Sequence, residues 1–205
     1  TVNFSRGLGQ GRAGFVSWAL ASALFLGLFW AYGSVWEPAH DEGVTFTQVM
    51  GPMGFESCET GGVAVAEATA WIEPRASHGY RDVVAALQSD GMHPPAYYLA
   101  LHAAARISGT DRLSLSGLLA LVGLVSIFSI GRISSRMAPG LYSGAAAMLL
   151  LAASPWFVGY SVFLRPYGMA LAIGLLTTWL VLEIHAPSVS EGRQLLLRVG
   201  FVVLS

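Results

Sequence analysis

Lysine is absent from this 205-residue chain, cysteine occurs once, and charged residues make up only 11% of it. An ordinary soluble domain carries roughly 25% charge, so a water-facing surface cannot be assembled from this composition. The single Cys58 excludes an internal disulfide and a cysteine pair for a metal. With no lysine, all 11 basic residues are arginine, which reads as a compositional habit of the source. The net charge of −1 gives no basic surface for nucleic acid. Also missing are a P-loop, a dinucleotide fingerprint, a His-x-x-x-His zinc pair and a Gly-x-Ser-x-Gly elbow. Internal repeats and low-complexity tracts are absent too.

What the chain has is apolar length. Hydrophobic residues make up 54% of it, in uncharged runs at 13–36, 113–131, 137–164 and 166–182. Each approaches or exceeds the ~20 residues that a helix needs to cross a bilayer core. The expected fold is therefore all-α: a polytopic transmembrane helix bundle with a long extracytoplasmic first loop bearing amphipathic surface helices. The run after Arg12 is too long for a signal-peptide core and lacks a small-residue cleavage site, which makes it a retained first span.

Arg6 and Arg12 precede that span, and no acid occurs before Glu37. The positive-inside rule then puts residues 1–12 in the cytoplasm and the first span over 13–36. Trp30, Tyr32 and Trp36 mark the far interface. Residues 37–92 are of a different kind, because nine of the chain's acids fall there (Glu37, Asp41, Glu42, Glu56, Glu59, Glu67, Glu73, Asp82, Asp90) against two arginines. This is the expected extracytoplasmic loop, with helix-like spacing at 63–72 and 80–88. A loop of that length is more often functional than a spacer.

Residues 93–205 hold the remaining bundle. His93-Pro94-Pro95 reads as a helix entry, followed by helix to Ser108 and a stop at Gly109. An Arg-bearing loop is expected at 131–136, a break at Ser154-Pro155, and a further run from Pro166 to about His185. The last apolar segment, 195–205, is too short to span. If 94–109 crosses only partly, Arg132, Arg136, Arg193 and Arg198 fall inside and the 160–167 stretch faces the acidic loop.

Three groups of residues could carry chemistry. Asp41 and Glu42 follow the aromatic end of the first span, where a carboxylate can act as a general base or hold a divalent cation; solvated loop acids would fit the same spacing. Tyr98, His102 and Arg106 recur every fourth position, which stacks them on one helical face; Arg106 could equally snorkel to the surface. Arg165 is the only charge between Arg136 and Glu183. A guanidinium there needs an anion, either a carboxylate or a lipid phosphate gripped in a fork. Glu56, Glu59, Glu67 and His78 could form a cation site, although their spacing is not diagnostic.

The order Asp41-Glu42, long loop, His93-Pro94-Pro95-Ala96-Tyr97-Tyr98, Ser154-Pro155 and Tyr160-Ser161-x-x-x-Arg165-x-Tyr167 resembles the N-terminal module of GT-C glycosyltransferases. The similarity, over most of residues 13–185, is to bacterial relatives of dolichyl-phosphate-mannose protein mannosyltransferases and of aminoarabinose transferases. The resemblance implies a bacterial inner-membrane protein that transfers sugar from a polyprenyl-phosphate donor on the outer face. Asp41 would be the catalytic base and Glu42 its neighbour in the acidic pair. Arg165 would contact donor phosphate, with His93, Tyr98, His102 and Tyr167 completing the substrate site. Two departures stand out. Phe163 occupies a position where the family often has an acid, with Val162 before it, and family members are longer, so a fragment or remnant is expected. A non-catalytic subunit of a larger membrane complex, keeping a degenerate form of this fold, is the alternative reading; a transporter lacks any supporting repeat.

Overall fold

A computed structural model describes residues 4–35, 45, 49, 79–90, 95–109, 112–138, 142–185 and 191–204. Every regular element among the described residues is an α-helix: α1 (Phe4–Val35), α2 (Tyr80–Asp90), α3 (Pro95–Ser108), α4 (Arg112–Met137), α5 (Ser143–Ala152), α6 (Pro155–Val162), α7 (Tyr167–Ile184) and α8 (Glu191–Leu204). Three stretches among the described residues are long and apolar enough to cross a membrane, namely Ala13–Val35, Leu115–Met137 and Tyr167–Ile184. At 1.5 Å per residue the first two reach about 34 Å and the third about 27 Å, against a hydrocarbon core of about 30 Å. Some of their hydroxyls are absorbed locally, although those of Ser22, Ser129 and Thr177 are buried without a hydrogen-bond partner among the described residues. Ser17, Ser126 and Thr178 donate to the carbonyls of Ala13, Val122 and Gly174 within their own helices.

The chain divides into two compact units. The first holds Thr1–Val35, Ala120–Val162 and Tyr167–Ser205. Helices here approach closely where side chains are small, as expected where lipid leaves packing as the main attraction. A methyl group at Gly144 would meet Ser135 Oγ and, at 2.9 Å, the Gly131 carbonyl; one at Gly131 would meet Met148 at 2.7 Å. Ser134 donates to the Ser143 carbonyl at 3.1 Å along the same seam. The ring of Phe25, fully buried, fills the space left by Gly123 and packs on Phe157 at 5.2 Å.

These pairs fix the helix directions. Gly131 faces Met148 and Ser135 faces Gly144, so α4 and α5 are antiparallel. Phe128 meets Trp179 and Arg136 meets Glu183, so α4 and α7 are parallel. Tyr32 and Gly33 approach Gly159 and Val162, which aligns the C-terminal ends of α1 and α6. The bent α5–α6 pair therefore runs from one end of this unit to the other.

The break inside that pair is local chemistry. Pro155 takes the first helical position, where no N–H is needed, and Ser154 Oγ accepts the Phe157 N–H at 3.4 Å. The two axes diverge by 57°.

One sequence expectation is corrected here. Residues 131–136 are the last turns of α4, not a loop, because no proline interrupts the chain before Pro139 and Ser135 Oγ returns to the Gly131 carbonyl at 2.8 Å.

The second unit holds Trp36–Leu119 and Phe163–Pro166. The expected helix at 80–88 is present as α2, opened by the Gly79 N–H donating to the Asp82 carboxylate at 2.7 Å. The expected helix at 63–72 lies outside the described residues. As the proline pair suggests, α3 begins at Pro95, and it ends at Gly109, whose φ of 100° is open to glycine at little cost. Val83 and Leu87 of α2 and Tyr98 and Leu101 of α3 are buried with Leu115, Leu119 and Leu164.

Candidate functional site

Tyr98, His102 and Arg165 belong to the second unit. Along α3, Tyr98 and His102 stand one turn apart and both are buried. His102 Nδ1 lies 3.0 Å from the Val49 carbonyl, which can only accept, so Nδ1 carries the hydrogen. The Tyr80 ring meets the imidazole edge-on at 5.1 Å, and Tyr97 meets Tyr98 edge-on at 5.2 Å. Arg106 is exposed. Eight residues of helix turn through about 800°, which carries position 106 some 80° past Tyr98 and beyond the edge of the buried stripe.

Arg165 lies in a tight turn between α6 and α7, where its own N–H donates to the Phe163 carbonyl at 2.7 Å. Its side chain is half-buried, with Nε shielded from solvent, and Leu164 beside it is fully buried. The turn follows from Pro166, which disfavours helix at residue 165. Tyr167, in contrast, opens α7 in the first unit. Its ring meets Tyr160 at 5.6 Å, and Tyr160 stacks on Trp156 at 6.1 Å. All three are exposed, an aromatic ladder of the kind found at membrane interfaces. Tyr167 is thus grouped with Trp156 and Tyr160, while Tyr98, His102 and Arg165 share the other unit.

Asp41, Glu42 and His93 lie outside the described residues, as do Glu56, Glu59, Glu67 and His78. Among the described residues no group of three or more His, Cys, Asp or Glu could hold a metal ion.

The first unit contains a polar cluster that the sequence reading did not assemble. Glu183, only 2% exposed near the end of α7, accepts from Arg136 Nε at 3.3 Å and Nη2 at 3.4 Å. Arg132 Nη2 approaches the same carboxylate at 3.5 Å, and the Trp179 indole N–H at 3.3 Å. The Arg132 guanidinium also lies over the Trp179 ring, 5.9 Å from its centre. The signal was available: two arginines four apart share a helix face, and Glu183 is a lone acid in an apolar run with Trp179 one turn earlier.

No family model, curated protein or solved structure matches the chain. Fold and composition define its class: among the described residues it is all-helical, with three helices long and apolar enough to cross a membrane, or four with the bent pair counted as one span.

Proposed function

We propose that the chain is a membrane-embedded, GT-C-type glycosyltransferase module that transfers sugar from a polyprenyl-phosphate donor on the extracytoplasmic face. The observation that carries this reading is the membership of residues 163–166. The helices on either side belong to the first unit, yet the turn bearing Arg165 belongs with α2 and α3, where Tyr98 and His102 are buried. A guanidinium grouped with a buried tyrosine and histidine suits the phosphate of such a donor.

The layout is a polytopic bundle with its N-terminus cytoplasmic and residues 37–92 outside, where α2 lies as an amphipathic helix on the membrane surface. In the reaction Asp41, with Glu42 beside it, takes the proton of the acceptor hydroxyl while that oxygen attacks the anomeric carbon. The bond from this carbon to the phosphate oxygen breaks. Polyprenyl phosphate leaves with the electron pair, its negative charge held beside Arg165. Tyr98 and His102, in the same unit as Arg165, shape the substrate site together with His93.

A second reading, a non-catalytic subunit bound to other membrane proteins, draws on Val162 and Leu164, both buried, and on the half-buried Phe163 at the position where an acid would serve catalysis. Membranes carrying the protein, supplied with polyprenyl-phosphate-linked mannose or aminoarabinose, separate the two. Transfer that Asp41→Asn abolishes without loss of insertion supports the enzyme. Transfer unchanged in Asp41→Asn contradicts it, and no transfer by the native chain favours the subunit.

A further inference from the structure

The cluster around Glu183 plays no part in that chemistry. It brings two guanidinium groups to one buried carboxylate, so one positive charge is left over. Both arginine side chains remain accessible, at 48% for Arg132 and 42% for Arg136. Arg136 spends its Nε and Nη2 on Glu183, whereas Arg132 offers Nη2 alone and rests on the Trp179 ring. Arg132 is thus the freer cation, held in place from below by an aromatic face.

Helix directions in the first unit put this cluster at a basic end. The parallel α4 and α7 finish there, and α1 begins there, because its other end meets the end of α6. Arg6 and Arg12 precede the apolar span of α1, and Arg193 lies in the first turn of α8, which follows α7 by a short connection. Opposing them are Glu183 and Glu191. Such an end belongs at the cytoplasmic headgroup level, and basic pockets between spanning helices on that side take anionic lipid headgroups.

We infer that Arg132, positioned by Glu183 and Trp179 and assisted by Arg136, binds the phosphate of an anionic phospholipid headgroup at the cytoplasmic surface. A guanidinium can give a phosphodiester two parallel N–H bonds, which a zwitterionic headgroup would have to share with its own ammonium. The site is independent of the transfer reaction proposed above.

Native mass spectrometry of the purified full chain, released from nanodiscs containing phosphatidylglycerol and phosphatidylcholine, tests this. Phosphatidylglycerol should be retained preferentially, and Arg132→Gln should weaken its retention about tenfold, the loss of one charge-assisted contact. Arg106→Gln, which removes one charge from the other unit, should leave retention unchanged. Equal retention of the two lipids, or of phosphatidylglycerol by Arg132→Gln, overturns the inference. Displacement by inorganic phosphate at matched concentration assigns the site to free phosphate and overturns the lipid source. Should Arg132→Gln fail to insert, Arg132→Lys decides: it keeps the charge and loses the fork, and undiminished retention contradicts the role given to the guanidinium.

Discussion

Arg136 holds Glu183 with two nitrogens, Nε on one carboxylate oxygen and Nη2 on the other, at 3.3 and 3.4 Å. This pair ties the last turn of α4 to that of α7 and sets the two helices parallel. Glu183→Gln should therefore destabilise the first unit by about 1–2 kcal/mol; losing one partner of a fully buried pair costs about 3–5, and the exposure of the arginines reduces that. Reversible unfolding in mixed micelles measures it. Adding Arg136→Gln should recover part of the loss, since only Arg132 then remains without the carboxylate; strict additivity would show that the pair is not coupled.

Two glycines separate packing from propensity. Gly144→Ala drives a methyl group into the Gly131 carbonyl and Ser135, backbone and side chain that the α4–α5 seam cannot easily move, and should cost about 1–3 kcal/mol. Gly174→Ala has nothing within 4 Å and should instead stabilise α7 by about 0.5–1 kcal/mol. Thermal unfolding of the two variants should shift in opposite directions.

In the second unit, His102→Phe fills similar space but leaves the Val49 carbonyl without its imidazole donor. A loss of about 1–3 kcal/mol is expected for a buried group left unsatisfied. Faster amide exchange across α3 is the readout, and unchanged exchange would show that the hydrogen bond contributes little.

Arg165→Lys tests the phosphate contact. The ammonium keeps the charge but not the bidentate fork, so KM for the polyprenyl-phosphate donor should rise about tenfold, equivalent to about 1.4 kcal/mol. An unchanged KM would remove Arg165 from the donor site.

Much of this structure is legible in the sequence wherever one local rule decides. Proline at the first helical position and glycine at the end bounded α3, Ser154-Pro155 marked the bend, and the run after Arg12 gave the first spanning helix. The two arginines at 131–136 suggest a loop by sequence, while the carboxylate that Arg136 meets is 47 residues away. The same distance hid the Glu183 cluster, since pairing across helices has no local periodicity. The separation of Arg165 from Tyr167 was equally illegible: two residues apart in the chain, they fall in different units because Pro166 ends the turn between them.

The proposed chemistry requires residues 37–92 to face the outside, where the donor is used, and Cys58 provides a native reporter as the chain's only cysteine. Labelling with a membrane-impermeant maleimide, compared between right-side-out spheroplasts and inverted inner-membrane vesicles, tests this directly. Modification of Cys58 in spheroplasts, with protection in inverted vesicles, is the expected result. Modification only in inverted vesicles would place the acidic segment in the cytoplasm and contradict the account.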